Sequence, residues 1–261
     1  MKVVILAGGL GTRISEESHL KPKPMIAIGD QPILWHIMKY YSCFGFQDFV
    51  ICCGYKGYII KEYFADYYLH RSDVTFDFSA ENRMTVHSNV AEPWRVTLVD
   101  TGLNTQTGAR IKRVQKYIGD EPFMLTYGDG VSNVDLNALL AQHRHSGKTV
   151  TLTGVQPGGR FGVLDIADAS NTVVGFREKA KEDGGWINGG FMVAQPELFD
   201  YLNAEESCVL ERAPLETLAI KGKLGIYKHY DFWQCMDTQR DKTLLEERWR
   251  RMMAPWKRWN D

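Results

Sequence analysis

The amino-acid sequence predicts an α/β fold in which helices cover both faces of a mostly parallel central sheet. Through the first 150 residues, short apolar runs rich in β-branched residues alternate with longer runs of helical periodicity. This alternation is typical of parallel sheets, because each connection between parallel strands needs a crossover, usually a helix. Beyond residue 150 short strands dominate, which predicts an added β-rich lobe over one edge of the sheet.

The individual elements follow from the same patterns. The strands predicted from short apolar runs in the first part are residues 2–7, 48–53, 96–100 and 122–127. The helices predicted between them are residues 32–44, 57–69, 107–118 and 135–146, with an inserted hairpin at 75–86. The later elements are strands at 150–156, 162–166, 172–178, 187–194 and 225–228 and a helix at 238–252. No repeat or linker separates them, so we predict one domain over residues 1–261.

Composition excludes several classes of protein. An apolar content of 44% and a charged content of 24% are ordinary for a soluble globular chain of 261 residues. The formal net charge of −1 gives no basic face for nucleic acid, and no apolar run is long enough to span a membrane. The five cysteines lack regular spacing, which is typical of reduced thiols. We therefore expect a cytoplasmic protein.

A glycine-rich segment, L-A-G-G-L-G-T-R at residues 6–13, ends the first predicted strand. Glycines let the backbone approach a ligand closely, and successive N–H groups in such a turn form an anion-binding concavity. Arg13 adds a permanently charged donor fork. The segment predicts a phosphate site suited to a triphosphate, with a tight turn that binds nothing as the alternative.

Two familiar phosphate loops do not match this segment. The dinucleotide fingerprint needs a third glycine after G-x-G-x-x, where Ile14 stands, and the P-loop needs a lysine after its glycine. An NAD-dependent oxidoreductase stays a disfavoured alternative, because Asp30 lies near the distance of a ribose-binding acid but in a turn.

A second segment, K-P-K-P-M at residues 21–25, lies close behind the glycines. Its two prolines restrict the backbone and hold Lys23 in a fixed place. A fixed ammonium beside a triphosphate can neutralise charge at the α-phosphorus. A solvated basic loop is the alternative for this segment taken alone.

Together the two segments resemble the sugar-phosphate nucleotidyltransferases, whose pattern is L-A-G-G-x-G-T-R followed by P-K-P. The resemblance covers nearly the whole chain and implies a Rossmann-like α/β/α fold with a β-rich sugar-binding side. It assigns the nucleotide to roughly residues 1–150 and the sugar, with the C-terminal helix, to roughly residues 151–261. It also implies a homo-oligomer and a place in lipopolysaccharide biosynthesis.

The resemblance implies roles for individual residues on the nucleotide side. Arg13 and Lys23 are the expected catalytic residues. The expected nucleotide contacts are Leu6, Ala7, Gly8, Gly9, Gly11, Thr12, Arg13, Lys23, Thr105, Arg110 and Gly128. For Arg110, a charge on a helix surface is the alternative.

The same resemblance implies a metal site and a sugar site. Asp129, in a G-D-G run after an apolar strand, and Asp237, in a W-x-x-x-D-T run, are the expected Mg²⁺ ligands. A turn-forming role is the alternative for Asp129, and a helix N-cap is the alternative for Asp237. The expected contacts of the sugar phosphate are Glu178, Lys179, Asn188 and Gly189.

Three further runs resemble the branch of the family that joins CTP to glucose 1-phosphate. They are W-H-I-M at 35–38, C-C-G-Y-K-G at 52–57 and V-D-T-G at 99–102. The chain departs from that branch at Ala27, Ala180 and Cys235. A uridylyl- or thymidylyltransferase, CTP with a different sugar 1-phosphate, and a nucleotide-binding module without catalysis are the alternatives.

Overall fold

A computed structural model describes residues 1–79, 81–156, 163–166, 173–177 and 185–260; of residues 163–166 and 173–177 only the backbone is described. The strands are β1 (Lys2–Ala7), β2 (Ala27–Ile28), β3 (Gln31–Pro32), β4 (Asp48–Cys53), β5 (Ser72–Asp77), β6 (Arg83–Asn89), β7 (Arg95–Asp100), β8 (Phe123–Tyr127), β9 (Gly130–Ser132), β10 (Val150–Val155), β11 (Val163–Ile166), β12 (Val173–Arg177), β13 (Ile187–Asn188), β14 (Met192–Ala194), β15 (Leu224–His229) and β16 (Trp233–Cys235).

The α-helices are α1 (Ser15–Ser18), α2 (Ile33–Ser42), α3 (Gly57–Ala65), α4 (Thr107–Arg113), α5 (Gln115–Ile118), α6 (Leu136–Ser146), α7 (Ala213–Ile220) and α8 (Gln239–Arg250). Short 3₁₀ turns cover Thr12–Ile14, Lys23–Met25, Leu69–Arg71 and Pro196–Tyr201. Within the described residues, none of these helices combines the length and the apolar character needed to cross a membrane.

An eight-stranded sheet holds the fold together. Its strand order is β13-β10-β14-β8-β1-β4-β7, with β15 beside β10. The pairs β8–β1, β1–β4, β4–β7 and β10–β15 are parallel, whereas β14 runs antiparallel to β8 and β10. The predicted α/β class with a mostly parallel central sheet is confirmed.

Helices cover both faces of this sheet, and the side chains of β1 point alternately into the two apolar cores between sheet and helices. Val3, Ile5 and Ala7 face one apolar core, which α2, α6 and α8 complete, while Val4 and Leu6 face a second core completed by α4, α5 and α7. Successive strand residues point to opposite faces, so a strand buried on both sides is apolar throughout.

The later strands are joined to the central sheet. β10, β13, β14 and β15 extend it past β8, while the β11–β12 and β9–β16 pairs form separate two-stranded ribbons. The predicted strand over residues 187–194 is interrupted: β13 and β14 both pair with β10, but Gly190 and Phe191 between them have φ of +77° and +43°. Helix α7 was not predicted, because its apolar residues do not form one stripe and Ile220 is 88% exposed.

The C-terminal segment packs back onto α2 through aromatic side chains. The imidazole of His36, wholly buried, lies 4.6 Å from the ring of Trp249 and 6.2 Å from that of Trp256, measured between ring centroids. His36 Nε2 hydrogen-bonds the carbonyl of Ile28 at 2.8 Å. Burial lowers the pKa of His36 to about 4, so the ring is neutral at pH 7 and accepts from the Trp256 indole at 3.4 Å.

Candidate active site

A cavity of about 600 Å³ opens at the carboxyl ends of the neighbouring strands β1 and β8. In α/β folds this is the edge of the sheet at which ligands bind. Its wall is formed by residues 6–12, 103–107 and 127–129 together with Lys23, Pro24 and Arg110. Ten of the eleven residues predicted to contact the nucleotide therefore lie around one cavity; the side chain of the eleventh, Arg13, lies outside the described part of the structure.

Glycine is favoured at each position of the loop for a different structural reason. A Cβ on Gly8 would lie 2.2 Å from the guanidinium of Arg110, so the protein itself requires glycine there. Gly11 has φ of +67°, which favours glycine on backbone grounds. A Cβ on Gly9 would meet no atom within 4 Å. Gly9 is exposed at the cavity wall, where absence of a side chain leaves its backbone accessible to a ligand.

Arg110 lies buried under the glycine loop and stabilises it by hydrogen bonds. It is only 4% exposed, and its guanidinium donates to the carbonyls of Gly8 (2.9 Å), Cys53 (3.2 Å) and Gly102 (2.7 Å) and to the hydroxyl of Thr101 (2.7 Å). The alternative of a helix-surface charge is therefore wrong. Burial lowers the pKa of Arg110, yet an arginine stays charged in proteins.

Lys23, Asp129 and Asp237 meet at one end of the cavity. Lys23 Nζ lies 2.7 Å from Asp129 Oδ2 and 2.5 Å from Asp237 Oδ1. The three side chains are 11%, 30% and 13% exposed, respectively. Burial by itself lowers the pKa of Lys23, but the charges of the two carboxylates and their hydrogen bonds outweigh it and raise the pKa. Lys23 is thus a firmly held ammonium, and the alternative of a solvated basic loop is wrong.

Local structure explains why residues so far apart in sequence converge. Pro22 is extended and leads into a 3₁₀ turn in which Lys23 is buried. Asp129 ends the turn after β8, and its carbonyl accepts from Met236 N at 2.8 Å. The pairing of β9 with β16 then brings Asp237 alongside. Thr238, not Asp237, is the N-cap of α8, and the Asp237 carboxylate pairs with Lys23 instead.

The two aspartates have the donor type that Mg²⁺ prefers. Carboxylate oxygens are its usual protein ligands, and it commonly takes one or two of them together with substrate phosphates and water. Asp129 and Asp237 both contact one cation, the ammonium of Lys23, so the two carboxylates lie close enough together to contact a common ion. Among the described residues no group of three or more His, Cys, Asp or Glu side chains is arranged to hold a metal ion.

Of the predicted sugar-side residues, Asn188 contacts a residue of the cavity wall, whereas neither Asn188 nor Gly189 lines the cavity itself. Asn188 donates to the hydroxyl of Tyr127 at 3.0 Å and accepts from the Gly190 amide at 3.0 Å. The carbonyl of Gly189 accepts from the Trp233 indole at 2.7 Å. The interruption between β13 and β14 creates this turn. Predicted contacts Glu178 and Lys179 lie outside the described residues.

Thr105 lies in the stretch of residues 103–107 that lines the cavity, and it is buried. Its hydroxyl accepts from Arg113 at 2.8 Å, so it shapes the loop as well as lining the cavity. Three further residues at the cavity were not predicted: Thr107 and Tyr127 line it, and Glu211 accepts from both of them. Tyr127 is the last residue of the predicted strand 122–127, so its position at the edge of the sheet was indicated. Nothing in the sequence pattern indicates Glu211.

Comparison with known proteins gives consistent results over the whole chain. The family model described as nucleotidyl transferase matches residues 2–230. A glucose-1-phosphate cytidylyltransferase of Salmonella typhimurium is 56% identical over 260 residues, covering 99% of this chain and all of the relative. The solved structure of HddC from Yersinia pseudotuberculosis superposes with a TM-score of 0.68 at 24% identity, covering 95% of this chain and 99% of that one. UDP-glucose pyrophosphorylase from Acinetobacter baumanii superposes with a TM-score of 0.68 at 17% identity, covering 98% and 99% of the two chains.

The two structural likenesses are distant and support the fold. The family match and the 56% identity extend across the glycine loop, Lys23 and Asp129. With the cavity described above, they identify the chain as a member of the nucleotidyl transferase family.

Proposed function

We infer that the protein transfers a cytidylyl group from CTP to α-D-glucose 1-phosphate, forming CDP-glucose and pyrophosphate. The convergence of Lys23, Asp129 and Asp237 at the glycine-loop cavity carries the reaction class. The choice of CTP and glucose 1-phosphate is supported by the relative of that specificity, which is 56% identical over 99% of the chain.

The proposed reaction is an in-line displacement at the α-phosphorus. A phosphate oxygen of glucose 1-phosphate forms the new P–O bond, and the bond from the α-phosphorus to the bridging oxygen breaks, so that pyrophosphate leaves with the electron pair. A phosphate oxygen anion is already a nucleophile, and no general base is needed. Catalysis then consists of positioning the reactants and stabilising charge.

Each part of the cavity has a role in this scheme. The loop from Leu6 to Thr12, together with Thr105, Arg110 and Gly128, holds the nucleotide, and Arg13 binds the leaving pyrophosphate. Lys23 stabilises charge on the α-phosphate, while Asn188, Gly189, Glu178 and Lys179 receive the sugar phosphate. Asp129 and Asp237 would hold Mg²⁺, and the bound ion would neutralise phosphate charge.

A pyrophosphate-release assay tests the proposal. CTP, UTP, dTTP and GTP are supplied at equal concentration with glucose 1-phosphate, with Mg²⁺ or with EDTA. We expect CTP to give the fastest release, and release to require both the sugar phosphate and Mg²⁺. The Asp129→Asn variant, which keeps the side-chain shape but loses the charge, is expected to lose most of the turnover.

The alternatives give different results in the same assay. Faster turnover with UTP or dTTP would replace the cytidylyl assignment by one of those two. A nucleotide-binding module would bind CTP without releasing pyrophosphate. An oxidoreductase would show no nucleotide-dependent release at all.

A further inference from the structure

Glu211 joins two walls of the candidate active site. Its Oε1 accepts from the Tyr127 hydroxyl at 2.5 Å and its Oε2 accepts from the Thr107 hydroxyl at 2.6 Å. Both donors line the cavity, Tyr127 at the end of β8 and Thr107 at the start of α4. Hydrogen bonds to a charged acceptor are stronger than those between neutral groups, so Glu211 fixes both hydroxyls.

The hydrogen bonds continue from Tyr127 to the sugar side. The Asn188 amide nitrogen donates to the Tyr127 oxygen at 3.0 Å, while the Asn188 amide oxygen accepts from Gly190 N at 3.0 Å. The Asn188 amide orientation is therefore determined by its partners. Burial, followed by the charge of Glu211, raises the pKa of Tyr127, so the phenol stays protonated and donates to Glu211.

Glu211 is held in place by the chain that precedes it. The segment from Glu206 to Glu211 lies along the start of α4, where its carbonyls accept from backbone amides: Gln106 N donates to Glu206 O at 2.8 Å and Ala109 N donates to Cys208 O at 3.1 Å. A Cβ on Gly108 would lie 3.0 Å from the Cys208 carbonyl, so the two segments are in close contact. The backbone that leads to Glu211 is thereby held against α4, and the exposed carboxylate is oriented by its hydrogen bonds to the two hydroxyls.

We propose that Glu211 is a positioning residue for the sugar phosphate: it holds the Tyr127 hydroxyl, which in turn holds the Asn188 amide toward the sugar. The proposal rests on the proposed function, in which Asn188 receives the sugar. Glu211 acts through Tyr127 and does not touch the reacting atoms. Thr107 keeps a second partner when Glu211 is replaced, because its hydroxyl also accepts from Leu210 N at 2.9 Å. Loss of Glu211 therefore weakens binding of the sugar portion more than binding of the nucleotide portion.

A double-mutant cycle measures this action. Glu211→Gln, Tyr127→Phe and the double variant are compared for KM of glucose 1-phosphate, KM of the nucleotide and kcat. We expect each single variant to raise the KM of glucose 1-phosphate about five- to tenfold, the net effect of losing about one ordinary hydrogen bond. Glu211→Gln is expected to add nothing in the Tyr127→Phe background. Glu206→Gln, an exposed carboxylate on the same segment, is the matched control and is expected to behave as wild type.

Calorimetry separates this proposal from the proposed function. Glu211→Gln is expected to weaken CDP-glucose binding about five- to tenfold and CMP binding less than about twofold, since only CDP-glucose carries the sugar. Equal weakening of both ligands, or additive effects of Glu211→Gln and Tyr127→Phe on KM, would overturn the role of Glu211. The kinetic cycle uses the nucleotide that the wild-type protein turns over fastest. If that nucleotide is not CTP, the cytidylyl assignment is refuted, but the test of Glu211 is still valid.

Discussion

Replacing Lys23 by methionine removes the ammonium that joins Asp129 to Asp237 and keeps most of the apolar stem. Breaking a fully buried ion pair costs about 3–5 kcal/mol, because the partner charge is left in a poor solvent. The Asp129 side chain is 30% exposed, so water offsets part of this cost. We expect the free energy of unfolding to fall by about 2 kcal/mol in buffer with EDTA.

The same variant separates the role of Lys23 in stability from its role in the reaction. Without Lys23 the two aspartates repel each other, and Mg²⁺ can take the place of the ammonium. A ligand that binds the folded state stabilises it, so Mg²⁺ should raise the melting temperature of Lys23→Met more than that of wild type. Turnover should fall about 100- to 1000-fold even with Mg²⁺, the usual cost of removing a group that stabilises developing charge.

The measurements are thermal unfolding with EDTA or MgCl₂ and pyrophosphate release at saturating substrates. Lys21→Met is the matched control, since Lys21 belongs to the same K-P-K-P run and is expected to change neither quantity. A Lys23→Met variant with wild-type turnover would remove Lys23 from the mechanism. Equal Mg²⁺ responses in both proteins would contradict the shared site at Asp129 and Asp237.

Three further predictions concern the glycines of the loop, the buried Arg110 beneath it, and His36, which contacts the C-terminal segment. Gly9→Ala should leave stability within about 0.5 kcal/mol but raise the KM of the nucleotide, whereas Gly8→Ala should destabilise the protein because its Cβ would meet Arg110 at 2.2 Å; an unchanged KM in Gly9→Ala would refute the ligand contact. Arg110→Lys should lower the free energy of unfolding by about 3 kcal/mol, since several buried carbonyls lose their donor, and urea unfolding checks this. His36 has a pKa of about 4 when folded and near 6.5 when unfolded. Its contribution is therefore full above pH 6.5 and is lost as pH falls toward 4, by about 3 kcal/mol. His36→Gln should flatten the pH dependence of urea unfolding over that range, and an unchanged slope would contradict the pKa.

The fold was predictable where both faces of an element are buried. The predicted bounds of β1 and β4 agree with the structure, since an apolar strand covered on both sides leaves a continuous sequence signal. The same pattern explains the burial of Cys52 and Cys53. As neighbours in a strand they point to opposite faces and lie in the two different cores. Helix α7 left no such signal, because its apolar residues do not form one face.

The site was predictable only as far as local motifs reached. Lys23, Asp129 and Asp237 each lie in a short recognisable run. The runs themselves do not indicate that the three side chains contact one another. Glu211 contacts Tyr127 and Thr107 across sequence separations of 84 and 104 residues. A contact of this kind depends on how the sheet brings loops together, and a single sequence does not carry that information.

Several places where local sequence rules fail lie at the cavity or beside one of the residues that line it. An arginine is buried under the glycine loop, a lysine lies between two aspartates, and a predicted strand breaks at Gly190 and Phe191 with positive φ. Each of these costs stability when considered alone: buried charge requires compensation, and a left-handed conformation at Phe191 strains a residue that has a Cβ. Such costs persist where the surrounding structure maintains them for function. The strained turn next to Asn188 therefore agrees with the proposed sugar contact there, and it is a backbone observation that does not depend on a sequence motif.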